Sequence, residues 1–195
     1  MIQENSFRMN WNNNFPSALT YGLQLRDQYK EHWLRIHTLP NSKRYPDKSN
    51  HYKEILKRHD ELMNDLFKPN STLAVVTFGY SETCIPVKPK EMDFISKDLS
   101  YLYSTPYEID EENPTFNIYW HGWFYFEQVT EKKFDVILHK VIDNAIQNLY
   151  FVDPLCKNIY HPYDGGADII FSENQNVKIW KEKYNDWLPN NSIGL

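Results

Sequence analysis

Glycine and cysteine are both scarce in this chain, and each scarcity argues against a class of site. The 195 residues include six glycines, which leave little room for a loop that cradles phosphate groups. Neither the GxGxxG nor the GxxxxGKS/T pattern occurs, and the GxSxG and HExxH motifs are missing as well. The two cysteines, Cys84 and Cys156, form no CxxC pair and have no histidines at zinc-ligand spacing. We therefore expect two buried free thiols, and neither a metal nor a cofactor.

The chain also lacks an excess of positive charge. Its 21 Lys and Arg residues are outnumbered by 26 Asp and Glu residues, which gives a net charge of −5 and an isoelectric point of about 5.8. Nucleic-acid binding needs a positive face that neutralises phosphates, so nucleic acid is not an expected partner. An acidic surface is compatible with a basic protein partner.

Long apolar segments are absent as well. The first 15 residues contain Asn, Glu and Arg but no hydrophobic signal-peptide core. The longest apolar stretches, such as residues 73–76, are far shorter than the roughly 20 residues that a membrane-spanning helix needs. We therefore expect a soluble protein with no membrane partner. Two unpaired cysteines suit a reducing compartment, so the expected location is the cytoplasm.

The chain does have a high hydrophobic and aromatic content, 41% and 16% of its residues, which is enough to build a core. Residues 1–14 show no apolar periodicity and predict a polar N-terminal arm, which leaves residues 15–195 as a single domain. Helical apolar spacing follows Ser49 and again Thr130, while apolar or alternating runs occupy residues 33–39 and 73–78. This order predicts an α+β fold, a mostly antiparallel sheet with about four helices packed on it.

Two aromatic runs, residues 116–120 and 123–126, flank His121-Gly122 and predict a β-hairpin. Rings alternate between the two faces of a strand, so one face of the hairpin can present a row of exposed rings to a protein partner. A second layer of helices over that face is the alternative. The expected anchors, with the acidic residues near them, are Trp120, Trp123, Tyr125, Asp110, Glu111 and Glu112.

A basic segment stands out from the acidic background. Arg35 and His37 would share one face of an extended strand, and Lys43, Arg44 and Tyr45 follow in the next loop. Such a cluster could hold a phosphate or a carboxylate, with arginine as a planar fork. The alternative is a solvated loop in which Arg44 pairs with nearby acids.

The segment from His161 to Asp168 contains Asp164-Gly165-Gly166 between two β-like runs. Asp-Gly predicts a tight turn, with glycine supplying a positive φ angle. The functional alternative is an acid/base or metal cluster of His161, Asp164 and Asp168.

Several stretches resemble an uncharacterised bacterial family of domains of unknown function. They are residues 57–69, the predicted strand at residues 73–78, and the tail of the chain, which begins with residues 159–170 and ends with residues 184–188. Family members have a Tyr-Asp turn, an Asp soon after a Gly, two aliphatic residues, and a closing helix with a Tyr and a Trp. Many have Asp-Arg where this chain has Gly165-Gly166. The resemblance implies no activity. Small acidic α+β proteins of this type are similar to bacterial immunity proteins, but this analogy concerns only the general type of protein and not a shared site.

The sequence thus leaves two functions open. The leading one is a protein-binding module, of the immunity type or another accessory type, that acts by occluding its partner. The alternative is an enzyme acting on a phosphorylated or nucleotide substrate. In that enzyme Arg35, Lys43 and Arg44 would hold the anion, and His37 or His161 with Asp164 would transfer a proton. The sequence does not indicate an oligomeric state.

Overall fold

The computed structural model describes residues 2–15, 22–92, 98–108, 117–128 and 131–189. Within these ranges the α-helices are α1 (Ile2–Asn14), α2 (Gly22–Gln28), α3 (Ser49–Leu66), α4 (Glu131–Ile142) and α5 (Gln175–Lys183). The strands are β1 (Trp33–His37), β2 (Thr72–Ser81), β3 (Ser100–Glu108), β4 (Ile118–Gln128), β5 (Leu149–Val152), β6 (Asn158–Tyr163) and β7 (Gly166–Phe171).

The strands form one seven-stranded sheet in the order β1-β7-β6-β5-β2-β4-β3. Each neighbouring pair is antiparallel, so the predicted α+β fold with an antiparallel sheet is confirmed. The longest pairing joins β2 to β4, from Thr72 opposite Gln128 to Ser81 opposite Tyr119. β2 and β4 are both interior strands: β5 lies on the other side of β2, and β3 lies on the other side of β4.

Helices cover both faces of this sheet. Because side chains alternate along a strand, Leu73 and Val75 of β2 pack in the cluster that contains the apolar residues of α3, α4 and α5. Ala74 and Val76 point the other way, into the cluster formed with α1 and α2. Strands buried on both faces read as continuous apolar runs, which is why residues 73–76 are apolar without a break. None of the described helices has the length and apolarity needed to cross a bilayer.

Residues 1–14 were expected to form a polar arm, and this expectation is wrong. Ile2–Asn14 is helix α1, and Phe7, Trp11 and Phe15 are buried against the sheet. These rings recur at every fourth position, so they lie on one side of a helix. The other residues of α1 are mostly polar, which hid this narrow stripe from the search for periodicity.

The hairpin predicted around His121-Gly122 is also wrong. Ile118–Gln128 is a single strand that pairs with β2 on one side and β3 on the other. Gly122 serves close packing, since a Cβ atom there would lie 3.0 Å from the Phe78 ring and 3.4 Å from Leu102 Cβ. Gly122, which indicated a turn in the sequence, thus lets β2 and β3 pack closely against β4.

The two cysteines differ from each other. Both are free, but Cys156 is buried and Cys84 is exposed, so the expectation of two buried thiols holds for one of them. Burial raises the pKa of the Cys156 thiol, which keeps it in the unreactive protonated form.

Candidate functional site

The candidate site lies at one end of the sheet. His37 at the end of β1 and Tyr163 at the end of β6 both lie opposite Gly166, the first residue of β7. A cleft of about 540 Å³ opens there, and we call it the sheet-end cleft. The side chains that line it include Arg35, His37, Arg44, His161, Tyr163 and Asp164. The basic segment and the Tyr163-Asp164 turn therefore meet in space.

A polar row crosses three strands on one face of the sheet. His161 of β6 lies opposite Asp168 of β7, and Asp168 lies opposite Arg35 of β1. Arg35 donates from Nε to Oδ1 and from Nη2 to Oδ2 of Asp168, each at 2.7 Å. Such paired bonds fix the guanidinium plane, so Asp168 holds Arg35 in a defined orientation.

Aromatic rings enclose this ion pair. The Arg35 guanidinium carbon lies 5.4 Å from the Trp33 ring centre and 5.0 Å from that of Tyr163. Side-chain exposure is 11% for Arg35 and 5% for Asp168. Buried charges need a partner with good geometry, and the pairing of these two meets that need. We regard the pair as the structural floor of the cleft.

The second arginine of the cleft is open to solvent. Arg44 donates from Nε to both carboxylate oxygens of Asp164, at 3.0 and 3.1 Å, and its guanidinium lies 5.2 Å from the Tyr45 ring centre. Its side chain is 63% exposed, whereas that of Asp164 is 7% exposed. Neither terminal nitrogen of Arg44 has a hydrogen-bond partner among the described residues. Asp164 thus holds one edge of Arg44 and leaves the rest of the fork available.

His37 is the unusual residue of the cleft. It is buried, yet within the described part of the chain neither ring nitrogen has a hydrogen-bond partner. Burial lowers its pKa, the charge of Arg35 lowers it further, and the Gly165 carbonyl and Asp168 oppose that shift. The ring is therefore neutral at pH 7, and its contact with the Gly165 carbonyl lacks the geometry of a full hydrogen bond.

His161 is neutral for the same reason. Burial lowers its pKa to about 4, with a further reduction from Arg35 and an opposing effect of Asp168. Its ring packs on Tyr150, 4.6 Å between centres. In the described structure no hydrogen bond joins His161 to Asp164 or Asp168; these carboxylates accept from Arg44 and Arg35. The predicted His/Asp proton-transfer pair is thus not assembled in this structure.

The metal alternative has no geometric support. Among the described residues, no three His, Cys, Asp or Glu side chains are grouped so that they could hold a metal ion. Lys43, expected in the anion clamp, forms an ion pair with Asp47 at 2.6 Å and does not line the cleft.

The aromatic anchors predicted on β4 are mostly inaccessible. Trp123 and Tyr125 are buried, and the Trp123 indole donates to the Val87 carbonyl at 2.9 Å. Burial also raises the pKa of the Tyr125 phenol. Trp120 is half-buried and packs edge-on against Tyr80. The acidic residues Asp110, Glu111 and Glu112 lie outside the described residues.

Sequence reasoning missed one wall of the cleft. The α4–β5 connection contributes Asn144, Gln147 and Asn148, and Asn144 and Asn148 have positive φ angles of 56° and 53°. Asparagine tolerates this conformation better than most residues. The same three amides line a neighbouring cleft of about 570 Å³ beside Tyr80 and Trp120. The run of polar residues between a helix and a strand was the sequence signal that could have indicated this wall of the cleft.

The turn between β6 and β7 is present as predicted, but the reason for its glycines differs. Neither Gly165 nor Gly166 has a φ angle in the left-handed region. A Cβ atom on Gly166 would lie 2.1 Å from the Ile36 carbonyl oxygen, so this position requires the absence of a side chain. The close approach brings β1 against the turn and shapes the floor of the cleft.

Comparison with protein-family models gives a match. The family model described as Domain of unknown function (DUF3885) matches residues 21–192. No curated protein and no solved structure matches the chain. The matched range contains each residue named above as lining the sheet-end cleft.

Proposed function

The chain belongs to the DUF3885 family of domains of unknown function, and from the geometry of its site we propose that it binds a small molecule in the sheet-end cleft. The observation that carries this proposal is the His37 imidazole, which is buried in the cleft wall and, beyond a poorly aligned contact with the Gly165 carbonyl, has no hydrogen-bond partner among the described residues. Because the family has no assigned activity, the proposal rests on the site alone.

A buried polar group without a partner is unfavourable. Leaving one donor or acceptor unsatisfied costs about 1–3 kcal/mol, and native structures contain few such groups. A ligand group that displaces the packing at the wall of the cleft would supply a missing partner to His37. The unused imidazole is therefore a feature that ligand binding explains.

The size and lining of the cleft also suit a small molecule. Its volume of about 540 Å³ lies within the roughly 300–1,000 Å³ range of ligand pockets. Apolar contacts come from Val141, Ile146 and Pro162, and polar ones from the arginines, imidazoles and amides. Ligand sites commonly combine apolar walls with a few convergent polar groups.

A thermal-shift screen tests the proposal. The probes are nucleotides, phosphate esters, carboxylates and neutral sugars at millimolar concentration, because a ligand that binds only the folded protein raises its melting temperature. We expect a shift with at least one probe, and its loss in Gln147→Trp, which places a large ring at the cleft mouth. Asn64→Trp is the matched control, since Asn64 is exposed on α3. A screen without any shift contradicts small-molecule binding.

A protein-binding role is a second candidate, favoured by a different surface. Tyr80 and Ile85 are each 68% exposed, and Tyr80 packs against the predicted anchor Trp120. In this version the protein is a cytoplasmic bacterial accessory protein of the immunity type that occludes a basic partner. The exposed apolar residues and the acidic composition support it.

A pull-down at low and moderate salt tests this second candidate. Wild type should retain one stoichiometric partner, and Tyr80→Ala should release it, whereas Lys53→Ala on the exposed side of α3 should not. Charge reversal of Asp110, Glu111 and Glu112 should slow association if the partner is basic. Equal retention by wild type and Tyr80→Ala would remove Tyr80 from the interface and with it this candidate.

A further inference from the structure

The arginine–aspartate pairs of the sheet-end cleft leave hydrogen-bond donors free. Both oxygens of Asp168 accept from Arg35, and both oxygens of Asp164 accept from Arg44. No other carboxylate is among the residues that line the cleft. What the two arginines leave unused is donors only, because a guanidinium cannot accept a hydrogen bond.

The exposed guanidinium is positioned for recognition. Asp164 is buried and binds Arg44 through Nε alone, so the carboxylate fixes the plane of the guanidinium while both terminal nitrogens stay open. Tyr45 lies against the same group, 5.2 Å away. An oriented planar fork with two free nitrogens suits an oxygen-rich anion that can accept two parallel hydrogen bonds.

The charge balance of the cleft limits the charge of the ligand. Two arginines face two aspartates, and the two imidazoles are neutral. The cleft is therefore not a strongly positive site for a polyanion. Lys43, which would add a further positive charge, binds Asp47 and lies outside the lining. One anionic group, held by directed hydrogen bonds, fits this balance better than several.

We propose that the ligand of the sheet-end cleft presents one anionic oxygen group, of the phosphate-ester or carboxylate kind, to the terminal nitrogens of Arg44 and to the His37 ring. This inference rests on the proposed small-molecule function and names the chemistry of the ligand. His37 supplies the N–H that the buried side of such a group needs, and Arg44 holds its solvent side.

The inference is tested by calorimetric titration of the full chain. The probes are inorganic phosphate, acetate, phenyl phosphate, benzoate and the uncharged benzyl alcohol. We expect at least one anion to bind and benzyl alcohol to bind at least tenfold more weakly. Arg44→Gln should weaken the anion by at least tenfold, and Lys43→Gln, which removes a neighbouring cation outside the lining, should change it by less than threefold. Arg44 is largely exposed, so both variants are expected to fold.

Each outcome separates the possibilities. Binding of the phosphates alone assigns a phosphate ester, and binding of the carboxylates alone assigns a carboxylate. Equal loss in Arg44→Gln and Lys43→Gln overturns the inference, because it indicates nonspecific charge attraction. Failure of every anion at tens of millimolar also overturns it. If a neutral sugar still raises the melting temperature of wild type but not of Gln147→Trp, small-molecule binding survives while the anionic ligand is rejected.

Discussion

Two arginine–aspartate pairs lie side by side in the sheet-end cleft, but their surroundings differ. Arg35 and Asp168 are enclosed by aromatic rings, whereas Arg44 is mostly in solvent. Removing one partner of a buried pair leaves an uncompensated charge, whereas a pair with one partner in solvent is partly screened. The first pair thus acts on stability and the second remains free to act on a ligand.

Asp168→Ala tests this division. We expect the free energy of unfolding to fall by about 3–5 kcal/mol, because Arg35 is left buried without its carboxylate. Arg44→Gln should lower it by less, about 1–3 kcal/mol, because the variant removes only the exposed partner but leaves the buried Asp164 carboxylate without its cation. Urea titrations of the two variants provide the measurement. Equal losses of unfolding free energy in the two variants would mean that burial does not make the Arg35–Asp168 pair more important for stability than the Arg44–Asp164 pair.

The two turn glycines give a second prediction at the residue scale. Gly166→Ala places Cβ 2.1 Å from the backbone oxygen of Ile36, so β1 must move, and we expect a loss of about 3 kcal/mol or more. Gly165→Ala is the matched control. Its Cβ would meet Arg44 Cγ at 2.9 Å and Tyr163 Cε2 at 3.2 Å, which are side-chain atoms and not backbone, so we expect a smaller loss than for Gly166→Ala. If both variants melt at the same temperature, close approach is not what position 166 requires.

At the element scale, the sequence predicted well where packing repeats along one face. Helix α3 buries Ile55, Leu62 and Met63 at helical spacing, as predicted, and it begins at Ser49, which the pattern placed just before the helix. Strand β4 was mispredicted because Gly122 has the local appearance of a turn residue, while its role depends on Phe78 and Leu102 in other strands. Such contacts are set by tertiary structure, which local sequence does not encode.

Helix α1 supports a prediction about the N-terminal residues. Phe7 is buried beside Phe124, 4.9 Å between ring centres, so Phe7→Ala should reduce the free energy of unfolding by about 3–5 kcal/mol. Met9 on the same helix is 59% exposed, and Met9→Ala should change stability by less than about 0.5 kcal/mol. Chemical denaturation distinguishes them. An unchanged midpoint for Phe7→Ala would restore the polar-arm interpretation.

On the scale of the whole molecule, stability should depend on keeping buried histidines neutral. Burial lowers the pKa of His59 to about 3 and that of His161 to about 4. Between these values and about 6.5 the unfolded chain binds protons that the folded chain does not, so stability decreases as the pH falls below about 6.5. From pH 7.5 to 5.5 the two sites together should lower the free energy of unfolding by about 2–3 kcal/mol.

Urea melts at these two pH values provide the check. His161→Gln should reduce the pH dependence by about 1–1.5 kcal/mol, because the contribution of one buried site is removed. His139→Gln is the control, since His139 is exposed on α4. A stability that is equal at both pH values would indicate that the buried imidazoles become protonated in the folded protein without cost.

The sheet-end cleft is itself a property of the whole molecule. Its residues come from β1 and the following loop, from the α4–β5 connection and from the β6–β7 turn. The sequence identified Arg35, His37, Arg44, His161 and Asp164 as polar residues of interest, but only the strand order brings them together. Neighbours in an antiparallel sheet can be far apart in the chain, and local patterns do not report that pairing.

The most direct test of the central claim is a crystal of this protein soaked with a library of small polar fragments, several of them phosphates and carboxylates. The structure leads us to expect density for bound fragments in the sheet-end cleft, with hydrogen bonds to His37 and to the terminal nitrogens of Arg44. Fragments bound elsewhere while the accessible cleft stays empty would contradict the claim that this cleft is the ligand site.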